Sequence, residues 1–264
     1  MENFEKVYKD YEAIFNAQSE EDLFTIFENS QSDLVLHDVC YHLGRHPKLT
    51  EKGIKYLVDV ARSDKEAVVR HEAVEALSFH EDRFLLKNLN PEEQIVKDTL
   101  TLCLVRDESN DDKLDVCPVV NSENWSLDLA VDKLLSGNIV EQYHAMSFLI
   151  KLHHKSPEDR VQIISAFDAA LKLPENYLLK HEICFQLGVL GDSLAWQVLV
   201  ALIERRELEH PVVVHEAIIA LEPCSVEKTA ESLAIVEELL DHPDAIVNES
   251  AYVAKMWLLD PDFK

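Results

Sequence analysis

The chain has 264 residues, with 50 acidic against 25 basic side chains, a formal net charge of −25, and only 5 glycines and 9 prolines. So few glycines disfavour a β-rich fold or a glycine-rich phosphate loop, and the sequence contains no G-x-G-x-x-G, G-K-[ST] or G-x-S-x-G motif. Because so acidic a surface repels phosphate backbones and anionic lipid, we expect no binding to nucleic acid or membrane and a preference for a cationic partner.

Helical periodicity runs through most of the chain, with apolar residues spaced three and four positions apart. Prolines stand where several of these segments begin, at Pro91, Pro157, Pro211 and Pro243, and proline fits the first turn of a helix. The pattern predicts helices over about residues 3–16, 21–29, 33–44, 51–62, 66–78, 91–105, 126–136, 139–153, 157–172, 176–189, 193–206, 211–221, 229–241 and 245–259.

One polar, acidic and non-periodic segment, RDESNDDKLDVCPVVNSEN, interrupts the series of helices. It predicts a linker over residues 106–124 between an N-terminal helical half (1–105) and a C-terminal helical half (125–264).

The cysteines and the N-terminus bear on the cellular compartment. The chain has 5 cysteines, an odd number, and none lies in a C-x-x-C motif. This pattern predicts neither a disulfide framework nor a thiolate zinc site. The first residues, MENFEKVYKDYEAIFNAQ, are polar and amphipathic, unlike a signal peptide. We therefore expect a cytoplasmic protein.

The chain repeats itself at one constant offset. LVLHDVCYHLG (34–44) aligns with LLKHEICFQLG (178–188), and VVRHEAVEAL (68–77) aligns with VVVHEAIIAL (212–221). The aligned histidines are 144 positions apart in both pairs (181 − 37 and 215 − 71), and 34 positions apart within each half (71 − 37 and 215 − 181). A spacing of 34 residues is typical of one helix-turn-helix unit, so the sequence predicts an all-α, duplicated solenoid of paired helices.

An acidic residue follows each of these histidines, giving the dipeptides His37-Asp38, His71-Glu72, His181-Glu182 and His215-Glu216. Equivalent positions of a solenoid line up on one surface, with neighbouring helices about 8–10 Å apart, so imidazoles from adjacent repeats can reach one metal ion. One such dipeptide is usually structural, but four at one register indicate metal ligands. Two histidines and one carboxylate per metal are typical of non-haem iron, although a zinc or manganese pair in a hydrolase uses similar ligands.

Other candidate ligands fail this symmetry test. Glu75 lies one turn after His71, but its counterpart in the second half is Ile219. His42 and His46 correspond to Gln186 and Leu190. The histidines that lie off the register are His80, His144, His153, His154, His210 and His242. Two cysteines do match at the same offset, and we interpret them as small core residues rather than ligands; they are Cys40 and Cys184.

These residues resemble the deoxyhypusine hydroxylase family, whose members consist of HEAT-like helical repeats in two halves with four His-Glu dipeptides. Three of the blocks quoted above are similar to the family's own: LLKHEICFQLG, VVRHEAVEAL and VVVHEAIIAL. The segment VEQYHAMSFLIKL (140–152) is similar to the helix that opens the family's second half, and HPDAIVNESAYVA (242–254) to its closing repeat. The resemblance covers most of the chain and implies an all-α, HEAT-like helical-repeat solenoid in two pseudo-symmetric halves.

The resemblance also implies an activity, that of a di-iron monooxygenase using dioxygen and an external reductant. Its substrate would be the deoxyhypusine side chain on the precursor of the hypusine-bearing translation factor, and its cofactors two iron ions (Fe²⁺) per chain in a monomeric protein. Carried over position by position, the resemblance assigns three ligands to each iron: His37, His71 and Glu72 to one, and His181, His215 and Glu216 to the other. Asp38 and Glu182 match positions that the family uses to hold the amine-bearing substrate.

Two departures from the family pattern leave other functions open. Asp38 replaces a family glutamate and is one methylene shorter, and Ser78-Phe79-His80 replaces a glycine-containing block. One alternative is a non-catalytic HEAT-type scaffold that binds a protein partner on its concave face. Another is a divergent di-metal enzyme that acts on a different amine or hydrolyses a bond.

Overall fold

The computed structural model of the chain describes residues 2–63, 65–80, 83–105 and 125–260. Every regular element in these residues is a helix, so the prediction of an all-α repeat fold is confirmed. The α-helices are α1 (Glu2–Asn16), α2 (Glu20–Asn29), α3 (Asp33–Arg45), α4 (Glu51–Ala61), α5 (Ala67–Ser78), α6 (Arg83–Leu86), α7 (Gln94–Val105), α8 (Leu127–Ser136), α9 (Ile139–Lys155), α10 (Arg160–Ala170), α11 (Tyr177–Leu190), α12 (Ser193–Glu204), α13 (Pro211–Leu221), α14 (Thr229–Glu238) and α15 (Ala245–Leu259).

Side-chain caps fix where many of these helices begin. Ser19 and Asp22 form a reciprocal capping box at the start of α2, and Asn138 and Glu141 form another at the start of α9. Such caps satisfy backbone N–H groups that have no partner within the helix, and each contributes about 1 kcal/mol. At α13 the first helical residue is Pro211, which has no N–H to satisfy. Among the helices that carry the predicted ligands, α3 begins at a cap from Ser32 and α13 at Pro211, whereas α5 and α11 have no side-chain cap.

The predicted and observed helices differ mainly at their ends. The segment predicted as one helix over 91–105 begins only at Gln94, and a short helix, α6, precedes it. The segment predicted over 157–172 opens with a 3₁₀ turn at Pro157–Asp159 before α10 begins. The acidic segment 106–124, predicted to be a linker, lies outside the described residues.

The chain forms two compact units, Met1–Pro118 and Val119–Lys264. In the first unit α3 packs against α5, and α5 packs against α4 and α7. In the second unit α11 packs against α13, and α13 packs against α12 and α15. The apolar faces of these helices are buried and make the core of each unit. None of the helices within the described ranges has the length and apolar character needed to span a membrane.

A close contact at a glycine brings together the helices that carry the predicted ligands in each unit. A Cβ atom placed on Gly44 of α3 would lie 2.8 Å from the Cα and 3.0 Å from the Cβ of Ala76 on α5. In the second unit, a Cβ on Gly188 of α11 would lie 2.9 Å from the Cβ and 3.0 Å from the Cα of Ala220 on α13. Both pairs are related by the same offset of 144 (188 − 44 and 220 − 76). The small residues therefore set the spacing of the helices that carry the histidines.

Candidate metal centre

In the first unit, α3 and α5 bring three of the predicted ligands together. His37, His71 and Glu72 each offer a ligand atom, and these atoms lie within 4.8 Å of one another. The two imidazole rings have centroids 5.4 Å apart and planes inclined by 44°, and the Nε2 atom of His37 lies 3.5 Å from Oε2 of Glu72. All three residues are buried. This is the cluster expected from the 34-residue spacing of the two histidines.

The neighbouring carboxylate of Asp38 orients His37. Its Oδ1 atom lies 2.8 Å from Nδ1 of His37. When that nitrogen carries the proton and donates it to Asp38, the ring's lone pair is on Nε2, the atom that faces Glu72. A metal-binding histidine characteristically donates its other ring N–H to a carboxylate, which fixes its tautomer and orientation. Asp38 is thus in contact with a predicted metal ligand.

In the second unit, α11 and α13 reproduce this arrangement. The ring centroids of His181 and His215 lie 5.3 Å apart with planes inclined by 39°, and Nε2 of His181 lies 3.5 Å from Oε2 of Glu216. Both histidines and Glu216 are buried. Among the described residues of this unit, no histidine, cysteine or carboxylate completes a set of three within 4.8 Å. In contrast to His37, His71 and Glu72, these three residues do not form a group whose ligand atoms all lie within 4.8 Å of one another.

The acidic residue that follows His181 in this half, Glu182, is half-buried. Its Oε1 atom accepts a hydrogen bond of 2.9 Å from Nε2 of Gln186, one turn further along α11. Like Asp38, it lies directly beside a predicted ligand histidine in the sequence and is more exposed than the buried ligands.

The donor set fits a divalent cation of the iron, zinc or manganese class. It consists of imidazole nitrogens and carboxylate oxygens in buried positions, where a bound cation balances the charge of the carboxylates. Cys40 and Cys184 lie in the core beside the two sites, and burial raises the pKa of each thiol well above its ordinary value. Neither cysteine belongs to a group of three potential ligands that the described residues form within 4.8 Å, so we interpret both as packing residues.

The first unit also contains the charged side chains of Arg45 and Glu75, which the comparison of matching positions did not select. Nη1 of Arg45 lies 3.8 Å from Oε1 of Glu72, and Nη2 lies 4.0 Å from Oε1 of Glu75. The guanidinium carbon of Arg45 also lies 3.3 Å from the ring centroid of Tyr41. Glu75 was rejected as a ligand because Ile219 stands at the matching position, yet it is buried one turn from Glu72. The sequence does offer one signal for Arg45, which is its i, i+4 spacing from the aromatic residue Tyr41 on α3.

Two of the histidines off the register contact groups outside these clusters. His153 is buried, with Nε2 3.1 Å from Oδ2 of Asp192. Burial is the main cause that lowers its pKa, and the contact with Asp192 opposes this effect. His80 instead has Nε2 3.1 Å from the backbone oxygen of Leu43.

No known protein-family model matches the chain. Curated relatives do, however, share its sequence over most of its length. It is 30% identical over 241 residues to deoxyhypusine hydroxylase-B of Oryza sativa subsp. japonica, with 84% of this chain and 76% of the relative covered. It is also 30% identical over 247 residues to the deoxyhypusine hydroxylase of Homo sapiens, with 86% of this chain and 76% of the relative covered. The chain belongs to the deoxyhypusine hydroxylase family.

A solved structure of human deoxyhypusine hydroxylase in complex with glycerol matches the fold with a TM-score of 0.76. The two proteins are 26% identical in that comparison, which covers 91% of this chain and 84% of the human one. The HEAT-like repeat fold predicted from the resemblance is therefore confirmed, together with membership of the deoxyhypusine hydroxylase family.

Proposed function

We propose that this chain is a deoxyhypusine monooxygenase, which hydroxylates the deoxyhypusine side chain on the precursor of the hypusine-bearing translation factor. Its membership of the family supports the substrate. The observation that carries the chemistry is the pair of buried histidine clusters with matching geometry, whose ring centroids are 5.4 Å and 5.3 Å apart. A scaffold that binds only a partner has no need for four buried histidines with carboxylates beside them.

The two clusters would hold one iron ion each. In the first unit the ligands are His37, His71 and Glu72, and in the second they are His181, His215 and Glu216. Ferrous iron supplies the activation of dioxygen, with electrons from an external reductant. The helices contribute the fixed positions of the donors, because both histidines of a pair stand on helices that are packed in direct contact. The buried carboxylates offset the positive charge brought by each cation.

Asp38 and Glu182 would bind the amine groups of the substrate. Deoxyhypusine carries a secondary ammonium in a spermidine-derived side chain, and a carboxylate can hold such a group through a charge-assisted hydrogen bond. Both acidic side chains are less buried than Glu72 and Glu216. Oδ1 of Asp38 also contacts His37, so this residue would couple the placement of the amine to the orientation of a metal ligand.

The surroundings of the site suit a cationic protein substrate. The formal net charge of −25 would steer a positively charged face of the translation factor precursor toward the enzyme. Four described cysteines are free and buried, which is compatible with the reducing cytosol that we propose as the compartment. A monomer is the simplest assembly for a chain that carries both ligand sets.

Iron content and turnover, measured on the same samples, test this function. Protein purified without added metal, or reconstituted anaerobically with Fe²⁺, should contain about two irons per chain and hydroxylate a deoxyhypusine-bearing precursor in the presence of dioxygen and a reductant. An Asp38→Asn variant keeps an oxygen acceptor for His37 and removes the negative charge. It should retain its iron and lose turnover, with a raised KM for the precursor.

Two results would contradict the proposal in different ways. Protein that stays free of metal and also refuses Fe²⁺ would leave a binding scaffold. Iron-loaded protein that leaves the precursor unmodified would instead indicate a divergent enzyme acting on another amine.

A further inference from the structure

We infer that Arg45 competes with the metal ion for the carboxylate of Glu72, and that Glu75 limits this competition, so that the two side chains together set the metal affinity of the first unit. This inference rests on the proposed function, because it takes His37, His71 and Glu72 as the ligands. Arg45 is a positioning residue in this scheme, since it acts on the metal through Glu72.

The geometry places Arg45 between two buried carboxylates. Its guanidinium reaches Glu72 at 3.8 Å and Glu75 at 4.0 Å, through two different nitrogen atoms. The two glutamate side chains are only 4% and 11% exposed, and that of Arg45 is 19% exposed. Buried carboxylates need a nearby positive charge, and Arg45 supplies one when no metal is bound. Stacking on the ring of Tyr41, at 3.3 Å, holds the guanidinium in this place.

The two oxygens of Glu72 face in different directions. Oε2 lies 3.5 Å from Nε2 of His37, on the side of the histidine cluster, and Oε1 lies 3.8 Å from the guanidinium. A cation bound by the histidines and Oε2 therefore has a second positive charge on the far side of the same carboxylate. The metal and Arg45 repel each other, and each weakens the hold of Glu72 on the other.

Glu75 reduces this repulsion. It lies beside Arg45 but belongs to no group of three potential ligands that the described residues form within 4.8 Å. Its negative charge offsets the guanidinium and draws it away from Glu72. Removing Glu75 should therefore weaken metal binding, and removing Arg45 should strengthen it.

The second unit has no equivalent of this device at the same positions. The counterparts of Arg45 and Glu75, at the offset of 144, are Val189 and Ile219, which carry no charge. The counterpart of Tyr41 is Phe185. The inference therefore concerns one metal position of the two.

Metal titration of single and double variants tests this scheme. The variants are made in a His215→Ala background, which leaves the first unit as the metal position under study, and Co²⁺ is titrated anaerobically with calorimetry and optical absorption as readouts. Arg45→Gln should tighten Co²⁺ binding by about tenfold, from the removal of one positive charge near the cation. Glu75→Gln should weaken it by about threefold to tenfold. The double variant should return close to the parent value, because the two effects oppose each other.

An exposed ion pair of the same unit provides matched controls. Nζ of Lys52 lies 2.7 Å from Oε2 of Glu21, with side chains 59% and 68% exposed. Lys52→Gln and Glu21→Gln make the same changes in net charge at positions that water and salt screen effectively. Both variants should therefore leave the affinity for Co²⁺ within about twofold of the parent. Thermal unfolding by circular dichroism verifies that each variant is folded. If Arg45→Gln does not fold, Glu75→Gln and the double variant still test the predicted directions of the changes in Co²⁺ affinity.

The outcomes separate this inference from the proposed function. Weaker Co²⁺ binding in Arg45→Gln, or tighter binding in Glu75→Gln, would overturn the competition between Arg45 and the metal. Unchanged affinity in both variants would reduce the pair to a structural role and leave the enzyme proposal intact. A wild-type chain that binds no divalent metal would overturn both.

Discussion

The two units of this chain share the geometry of their histidine clusters and differ in the charges around them. The inclination of the histidine rings is 44° in the first unit and 39° in the second, and the contact from histidine Nε2 to glutamate Oε2 is 3.5 Å in both. Both clusters stand on helices brought together by a glycine against an alanine. The two pairs of helices therefore place the predicted ligands alike, although the charges around them differ.

The surrounding charges take different forms in the two units. In the first, Arg45 lies against Glu72 and Glu75. In the second, the residue before His181 is Lys180, whose buried Nζ lies 2.8 Å from Oε2 of Glu209; the matching residue of the first unit is Leu36. A buried ion pair contributes little net stability, but it restricts the arrangement of side chains around it. The duplicated frame therefore accommodates different electrostatic surroundings for the two metal positions that we propose.

Removing one histidine from either cluster should have the largest effect on iron content and activity. His71→Ala and His215→Ala should each lower the iron content from about two to about one per chain and abolish hydroxylation, because two imidazoles and one carboxylate are the minimum set that we propose for each iron. His154→Ala, at an exposed position of α9, serves as the control and should keep both irons. Elemental analysis measures the iron content of each variant. Full iron content in either cluster variant would show that the ligand assignment is wrong.

Sequence reasoning located the clusters because the signal was repeated. The segment predicted over 33–44 is observed as Asp33–Arg45, and the segment predicted over 211–221 is observed as Pro211–Leu221. Apolar periodicity and caps fixed these helices, and the constant spacing of the histidines then implied that they share a face. Packing of α3 on α5 brought the two rings within 5.4 Å, as expected from adjacent repeats.

The same reasoning missed Arg45 because it searched for symmetry. A residue that acts in one unit alone fails a test based on matching positions, and Glu75 was discarded for that reason. Whether the guanidinium reaches Glu72 also depends on side-chain conformations around Tyr41, which no linear spacing specifies. A duplicated sequence thus reveals the shared frame of a site more readily than the features that distinguish its halves.

A methyl group at the helix contacts should loosen both clusters to a similar extent. Gly44→Ala places a Cβ 2.8 Å from the backbone of Ala76, and Gly188→Ala places one 2.9 Å from the Cβ of Ala220. Each should lower the free energy of unfolding by about 1–3 kcal/mol, the usual cost of overpacking, and weaken metal binding in its own unit. Urea denaturation of the metal-free protein measures the first effect, and Co²⁺ titration the second.

A double-mutant cycle distinguishes overpacking from other effects of alanine. Ala220→Gly removes the atom nearest to the new methyl group, so it should partly restore the stability of Gly188→Ala, although alone it costs about 1 kcal/mol of helix propensity. The rescue of Gly44→Ala by Ala76→Gly should be smaller, because the nearest atom there is the Cα of Ala76. An increase in stability on Gly44→Ala, as expected for an exposed helical glycine, would exclude the proposed close contact.

The smallest expected effect is on the pH dependence of stability. It arises at His42, because the matching position in the second unit is occupied by Gln186, which does not titrate. Burial against neighbouring rings, including those of Phe15 and Tyr41, lowers the pKa of His42 below its ordinary value of 6.5. The unfolded chain therefore binds a proton more readily than the folded one, so this residue favours folding above pH 6.5 and loses that contribution as the pH falls. His42→Gln should reduce the loss of stability between about pH 7.5 and 5.5, measured by urea denaturation with a chelator present. The difference in the free energy of unfolding between the variant and the wild type at the higher pH reports the change in packing. An unaltered pH dependence would mean that His42 takes up its proton equally well in the folded and unfolded states.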